Sequence, residues 1–173
     1  MKNWYLFIVL FIFIGCNDEE KEQELKEVSI KKHYPYVCEK HSVDSIDSSV
    51  VELFKTQICL INSITQLNEN PLFIYSPDIL KEELSKCDFD KYTLIITPPS
   101  FTLNEVTDIK CNFYYNNHSG IYECYRTVFL KSAESSMDIE YIYFVINAFA
   151  VGKIPDESKL TFTQGSTVHS PSN

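Results

Sequence analysis

The chain has 173 residues, carries 15 basic against 24 acidic residues for a formal net charge of −9, and holds eleven Tyr, twelve Phe and only four Gly. That length suits one domain with its own core. The acidic balance, with no basic cluster, excludes nucleic-acid binding by phosphate neutralisation and charge-driven attachment to an anionic membrane surface.

At the N-terminus, Lys2 precedes an unbroken apolar run from Trp4 to Ile14. Its length suits a signal-peptide core and falls short of the about 20 residues that a membrane helix needs. The run ends at Phe13-Ile14-Gly15-Cys16, and Phe13 stands where an ordinary secretory cleavage site wants a small residue. A small residue directly before a cysteine resembles the bacterial lipoprotein lipobox, with Phe13 in place of the family's usual Leu or Val. The resemblance implies cleavage after Gly15, a diacylglyceryl thioether on Cys16 and acylation of the new amine; the other reading is an uncleaved N-terminal anchor. Each buried methylene contributes about 0.8 kcal/mol, so several acyl chains on Cys16 would hold the protein on its membrane. Lys2 leaves with the signal, so the remaining chain carries 14 basic against 24 acidic residues, net −10.

The run Asn17-Asp18-Glu19-Glu20-Lys21-Glu22 reads as a solvated tether. It also resembles the surface-export signal of some Gram-negative lipoproteins, which implies an outer-membrane protein facing the exterior, or else the periplasm. The expected organisation is a signal over residues 1–15, a lipidated cysteine and charged tether over 16–33, a single domain over 34–163 and a disordered polar tail over 164–173.

Within the domain, Ser45 to Phe54 fits a short helix or a strand. Gln57 to Asn62 is a compact apolar run of strand length, and Ile64 with Leu67 suggests a helical turn. Leu72 to Tyr75 reads as another short strand. Ser76 to Leu84 is predicted as a helix, with Ser76 as N-cap, Pro77 in the first turn, Asp78 favouring the dipole, and Ile79, Leu80 and Leu84 as the buried stripe. Tyr92 to Thr97 is a strand that Pro98-Pro99 should stop. The second half reads as an antiparallel meander: Ile109, Cys111, Phe113 and Tyr115 alternate with polar neighbours, Asn116 to Gly120 is a turn, Ile121 to Leu130 returns, and Ile139 to Val151 follows. Leu160 to Thr163 makes a last edge strand. The fold class is therefore α+β, a β meander packed with one or two helices.

Six cysteines in an exported chain point to an oxidising compartment. With Cys16 lipidated, five remain, which leaves at least one free or intermolecular. A turn centred between Asn117 and His118 would set Cys111 opposite Cys124, close enough for a disulfide. Cys59, between Ile58 and Leu60, looks like a buried free thiol, and elimination leaves Cys38 with Cys87. The competing reading keeps all five reduced in the core.

Chemistry-bearing motifs are sparse. His33, His41, His118 and His169 show no metal-ligand spacing, and HExxH, CxxC, GxSxG, GxGxxG and P-loop patterns are absent. Asp44 with Asp47, and Asp88 with Asp90, read as caps and turn residues, since no glycine-centred calcium loop accompanies them. No catalytic residue, metal or cofactor is assigned. Tyr114, Tyr115, Tyr122, Tyr125, Tyr141 and Tyr143 fall on the meander strands, where they either pack across strands or form a face for a protein or glycan partner.

The sequence Ile61-Asn62-Ser63, with Leu67 following and then Phe89-Asp90-Lys91-Tyr92-Thr93-Leu94-Ile95-Ile96, resembles a pattern of small bacterial lipoproteins of unassigned function. It is more distantly similar to the PrcB-type accessory domain, which is associated with stabilising a secreted protease. The similarity covers about residues 57–150 and lacks the glycine-rich step that often follows the strand there. It implies an α+β fold and a binding role, and it carries over no catalytic residue. The functional expectation is a non-enzymatic, membrane-anchored lipoprotein that displays a domain binding a protein or glycan. The alternatives are an envelope protease accessory or inhibitor and, third, a small hydrolase.

Overall fold

The computed structural model describes residues 25–41, 57–74, 76–132 and 141–169. The signal, Cys16, the segment Ser45 to Phe54, and Asp44 with Asp47 lie outside them, as do the side chains of Cys38, His41, Tyr141 and His169. The strands are β1 (Leu25–Glu27), β2 (Lys32–His41), β3 (Cys59–Ile61), β4 (Tyr92–Thr102), β5 (Val106–Asn116), β6 (Ile121–Lys131), β7 (Tyr141–Gly152) and β8 (Lys159–His169). Three short helices lie between β3 and β4: α1 (Ile64–Glu69), α2 (Pro71–Ile74) and α3 (Asp78–Ser85). The class is α+β, with two open four-stranded sheets ordered β1-β5-β6-β8 and β2-β7-β4-β3.

The layers follow from the alternation of β7. Ile146, Ala148 and Ala150 join Leu67, Leu72, Leu80 and Leu84 of the helices in one core. Phe149 and Val151, with Ile95 of β4, meet Phe113 and Cys124 of the first sheet in a second core. The β2-β7-β4-β3 sheet is thus covered on both faces, which is why β4 and β7 are apolar at consecutive positions rather than at alternate ones. Ala148 and Ala150 are small, so the helices approach closely, and each fully buried leucine contributes about 1.5–3 kcal/mol by leaving water.

Several local expectations change. Leu72 to Tyr75 was read as a strand, but residues 71–74 form α2. Pro71 sits in the first turn, where its missing N–H costs nothing. Asn70 Oδ1 accepts from the Leu72 amide at 2.9 Å, so a side chain caps the turn that apolar length suggested as extended. Ser76 does not cap α3: its hydroxyl donates back to the Leu72 carbonyl, and Pro77 holds the N-cap position without a side-chain bond. Ile79 leaves the expected buried stripe and is 65% exposed, while Leu80 and Leu84 are buried.

Pro98-Pro99 does not stop β4. The register shifts between Thr97 and Ser100, and the strand resumes against β7 through Thr102. A bulge leaves residues out of the ladder, so proline's missing donor is tolerated there. The β5–β6 hairpin forms as read, but β7 leaves the meander for the second sheet, and β6 pairs in parallel with β8 instead. Two segments expected outside the domain are strands: Leu25–Glu27 pairs with β5, and β8 runs to His169 through residues assigned to the tail. Their polar composition hid them because both lie at sheet edges, where few side chains are covered.

Candidate functional site

Between the two sheets lies a layer of buried polar side chains. Arg126 of β6 is 1% exposed, and Asn147 of β7 and Thr97 of β4 are 0% exposed. The Arg126 guanidinium donates through Nη1 to Thr97 Oγ1 and to the Pro98 carbonyl, both at 2.8 Å. Nε donates to Gln164 Oε1 of β8 at 3.0 Å, and Nη2 donates to the same oxygen. Its carbon lies 4.9 Å over the Phe162 ring. The Thr97 hydroxyl donates onward to the Asn147 carbonyl at 3.0 Å, and Asn147 Nδ2 donates to Cys111 Sγ at 2.8 Å. The chain of contacts joins five strands, β4 to β8, and ends on a sulfur.

Cys111 and Cys124 are both free thiols, so the expected bridge is absent. The turn is centred between His118 and Ser119, one residue beyond the expected centre, because Asn116 Oδ1 accepts from the His118 and Ser119 amides and Gly120 closes the loop at φ 69°. Cys111 therefore faces Arg126, and Cys124 faces Phe113. The two cysteines remain on one face as diagonal neighbours, which stand farther apart than directly opposed residues.

Electrostatics distinguish the two sulfurs. The Cys124 thiol hydrogen-bonds to Cys111 and, with the imidazole of His33 and the guanidinium of Arg126, brings Cys111 down to about 6 against the opposing effect of burial. The same contact and burial push Cys124 up, so its proton stays on. Burial lowers Arg126 to about 10, opposed chiefly by the neighbouring Cys111. Among the described residues no carboxylate reaches Arg126, and Cys111 is its cross-strand partner, so negative charge on that sulfur is favoured by the buried cation. His33 of β2 is raised by Cys111, against its own burial, with smaller help from Asn147 and Asp108. Among the described residues, two buried side-chain atoms have no hydrogen-bond partner, His33 Nε2 and Asn147 Oδ1, and both belong to this layer.

Cys111 opens onto a cleft of about 410 Å³ lined by Glu27, Val28, Ser29, Ile30, Asn112 and Phe113. Its wall is the segment joining β1 to β2, which crosses from one sheet to the other: the Val28 amide donates to the Phe113 carbonyl, and the Lys31 amide to the Ala150 carbonyl, both at 2.8 Å.

The remaining residues singled out in the sequence lie apart from this layer. Cys87 is a buried free thiol in the helix-side core, so it is not bridged to Cys38. Cys59 is free as expected but only half-buried, and its thiol donates to the Gln57 carbonyl at 3.1 Å. Asp88 serves the turn, accepting from the Asp90 amide at 3.2 Å and pairing with Lys91 at 2.7 Å. His118 lies exposed in the hairpin turn. The tyrosines divide between faces rather than forming one: Tyr115 and Tyr122 pack at 4.8 Å beside Phe113, Tyr114 and Tyr125 pair at 5.8 Å, and Tyr143 belongs to the other sheet. No group of three potential metal ligands occurs among the described residues.

No protein-family model, curated protein or solved structure matches this chain.

The sequence reading missed His33, Arg126 and Asn147. Arg126 had a signal: in Tyr122, Cys124, Arg126, Val128 and Leu130 it takes a position on the apolar parity of its strand. Asn147 does the same between Val145 and Phe149. His33 had none, because its segment read as tether.

A second feature concerns the surface. β8 pairs with β6 over eleven residues and lies at the end of its sheet; among the described residues no strand pairs with its other side. It has no proline, and Thr161, Thr163, Gly165, Ser166, Thr167 and Val168 are all exposed. The opposite edges are guarded differently: β1 and β3 have three residues each, and β2 carries Pro35.

Proposed function

We propose that this chain is a lipoprotein anchored through Cys16, and that its domain binds an extended segment of a partner protein along the open edge of β8. The observation that supports the binding mode is β8 itself. An eleven-residue, threonine-rich strand whose described residues apart from Leu160 and Phe162 are exposed presents a row of unpaired backbone groups, the template on which a peptide adds as a further strand. Natural edges that must stay unpaired are short or carry charge or proline, and β8 has none of these guards beyond Lys159 at its start. The anchor reading rests on Phe13-Ile14-Gly15-Cys16 and the apolar run before it.

The two parts are tested separately. Cys16→Ser should move the protein from the membrane to the soluble fraction; retention on the membrane overturns the anchor. Partners are then isolated from membranes with the full chain and with a Thr163→Lys/Thr167→Lys variant, since charge on an edge opposes strand addition. The reading requires a partner retained by the native chain and lost with the variant, at unchanged melting temperature. Equal recovery by both chains overturns edge binding.

A further inference from the structure

We propose that Cys111 and Cys124 form a thiol–disulfide exchange site at the cleft beside the β1–β2 connection, with Cys111 as the attacking sulfur, Cys124 as the resolving one and a low-molecular-weight disulfide as substrate. This stands apart from the binding function of β8 and uses no residue of that edge's outer side.

The arrangement has the parts such a site needs. Cys111 is a lining residue of a cleft of about 410 Å³, large enough for a small disulfide, while Cys124, its diagonal neighbour, is 1% exposed. Asn147 Nδ2 donates to Cys111 Sγ at 2.8 Å, a contact that favours the thiolate. The Arg126 guanidinium stands directly across the strand pair, without a carboxylate among the described residues, and His33 adds a second group able to carry positive charge. Asn147 is itself fully buried, so its donor is held at the sulfur by the surrounding core. A buried structural thiol needs none of these, because it packs as a small apolar group.

The step balances as follows. The Cys111 thiolate attacks one sulfur of the disulfide, forming a mixed disulfide and releasing one thiolate. Cys124 then gives its proton to a departing thiolate and attacks Cys111 Sγ. A Cys111–Cys124 disulfide forms and the second small thiol leaves. The two protein thiols are oxidised together, and the small disulfide takes up both electrons. Diagonal neighbours must draw together to close that bond, so the product is strained and readily reduced again.

The test treats the reduced full-length chain in detergent with oxidised glutathione and reads peptide masses. The expected product is the Cys111–Cys124 disulfide, seen as the loss of two hydrogens with no retained tripeptide. Cys124→Ala should instead trap glutathione on Cys111, and Cys111→Ser should leave Cys124 unmodified. A native chain that keeps the adduct, or that reacts at Cys59 while Cys111 stays reduced, overturns the proposal. If Cys111→Ser fails to fold, the native chain still decides. Alkylation of the Cys111 peptide should reach half its maximal rate near pH 6, well below the value for an ordinary thiol. A Cys111 rate that rises only in step with Cys59 overturns it.

Discussion

A guanidinium at 1% exposure is held by neutral acceptors, Thr97 Oγ1, the Pro98 carbonyl and Gln164 Oε1. Removing the cation strands its partners. Arg126→Leu should therefore cost about 1–3 kcal/mol for each buried acceptor left unpaired, measured by urea unfolding. Arg126→Lys should recover only part of the loss, because an ammonium cannot reach toward β4 and β8 together as a planar fork does. The same residue-scale reasoning fixes a pH dependence. Cys111 falls from 9.0 in the unfolded chain to about 6 in the fold. Its contribution to stability is therefore fully present above about 9 and is lost as the pH falls through 6. The stability difference between the native chain and Cys111→Ser should accordingly widen as pH rises from 6 to 9, read from urea midpoints across that range. His33, raised by the same sulfur, acts in the opposite sense: its contribution is full below 6.5 and fades as the pH rises through its folded value.

Elements show what the sequence could and could not reveal. The β5–β6 hairpin was legible because Ile109 to Tyr115 alternates strictly and Asn116 to Gly120 is turn chemistry. Its register was not legible, because the turn's centre depends on which side chain caps it. Asn116 decides that by accepting from two amides and donating to Glu123 Oε1 at 2.9 Å. Gly120 sits at φ 69° with only Tyr115 Oη near its missing Cβ, at 3.9 Å. Gly120→Ala should thus cost about 1–2 kcal/mol by backbone strain rather than by collision, visible as a lowered melting temperature. Short apolar runs carried less information: Leu72 to Tyr75 has strand length and strand composition, and only the Asn70 cap with Pro71 turns it into a helix. Pro98-Pro99 misled in the opposite direction, because a bulge absorbs prolines that a regular ladder would reject. Of the site, the cysteines were legible as reactive types, whereas the polar partners come from strands far apart in sequence and meet only when the sheets stack.

The molecule as a whole is three layers, and the middle one is central to its stability. Leu84 is 1% exposed against β7 and β4, so Leu84→Ala should cost about 2–5 kcal/mol in chemical unfolding. A polar pin joins the layer's lower corner. The Asn62 amide group donates to the Ile154 carbonyl at 2.8 Å, and the Ile154 amide donates to Thr93 Oγ1 at 2.9 Å. Thr93→Val should release this corner at about 1–3 kcal/mol, since it leaves a buried amide unpaired.

The pairing order has a consequence for a chain that emerges N-terminus first during its synthesis. β1 waits for β5, and β2 waits for β7, whose last residue is Gly152. Almost no sheet contact is local apart from the β5–β6 hairpin, so most closure steps span long loops, and assembly is slow by the usual dependence on topology. During that interval β4 is extended and apolar with only the three-residue β3 to pair with, a state in which strands adhere to one another. A chaperone that shields such strands until Gly152 has emerged should raise the yield of folded protein. A chain truncated after residue 140 should be as sensitive to protease as an unfolded one.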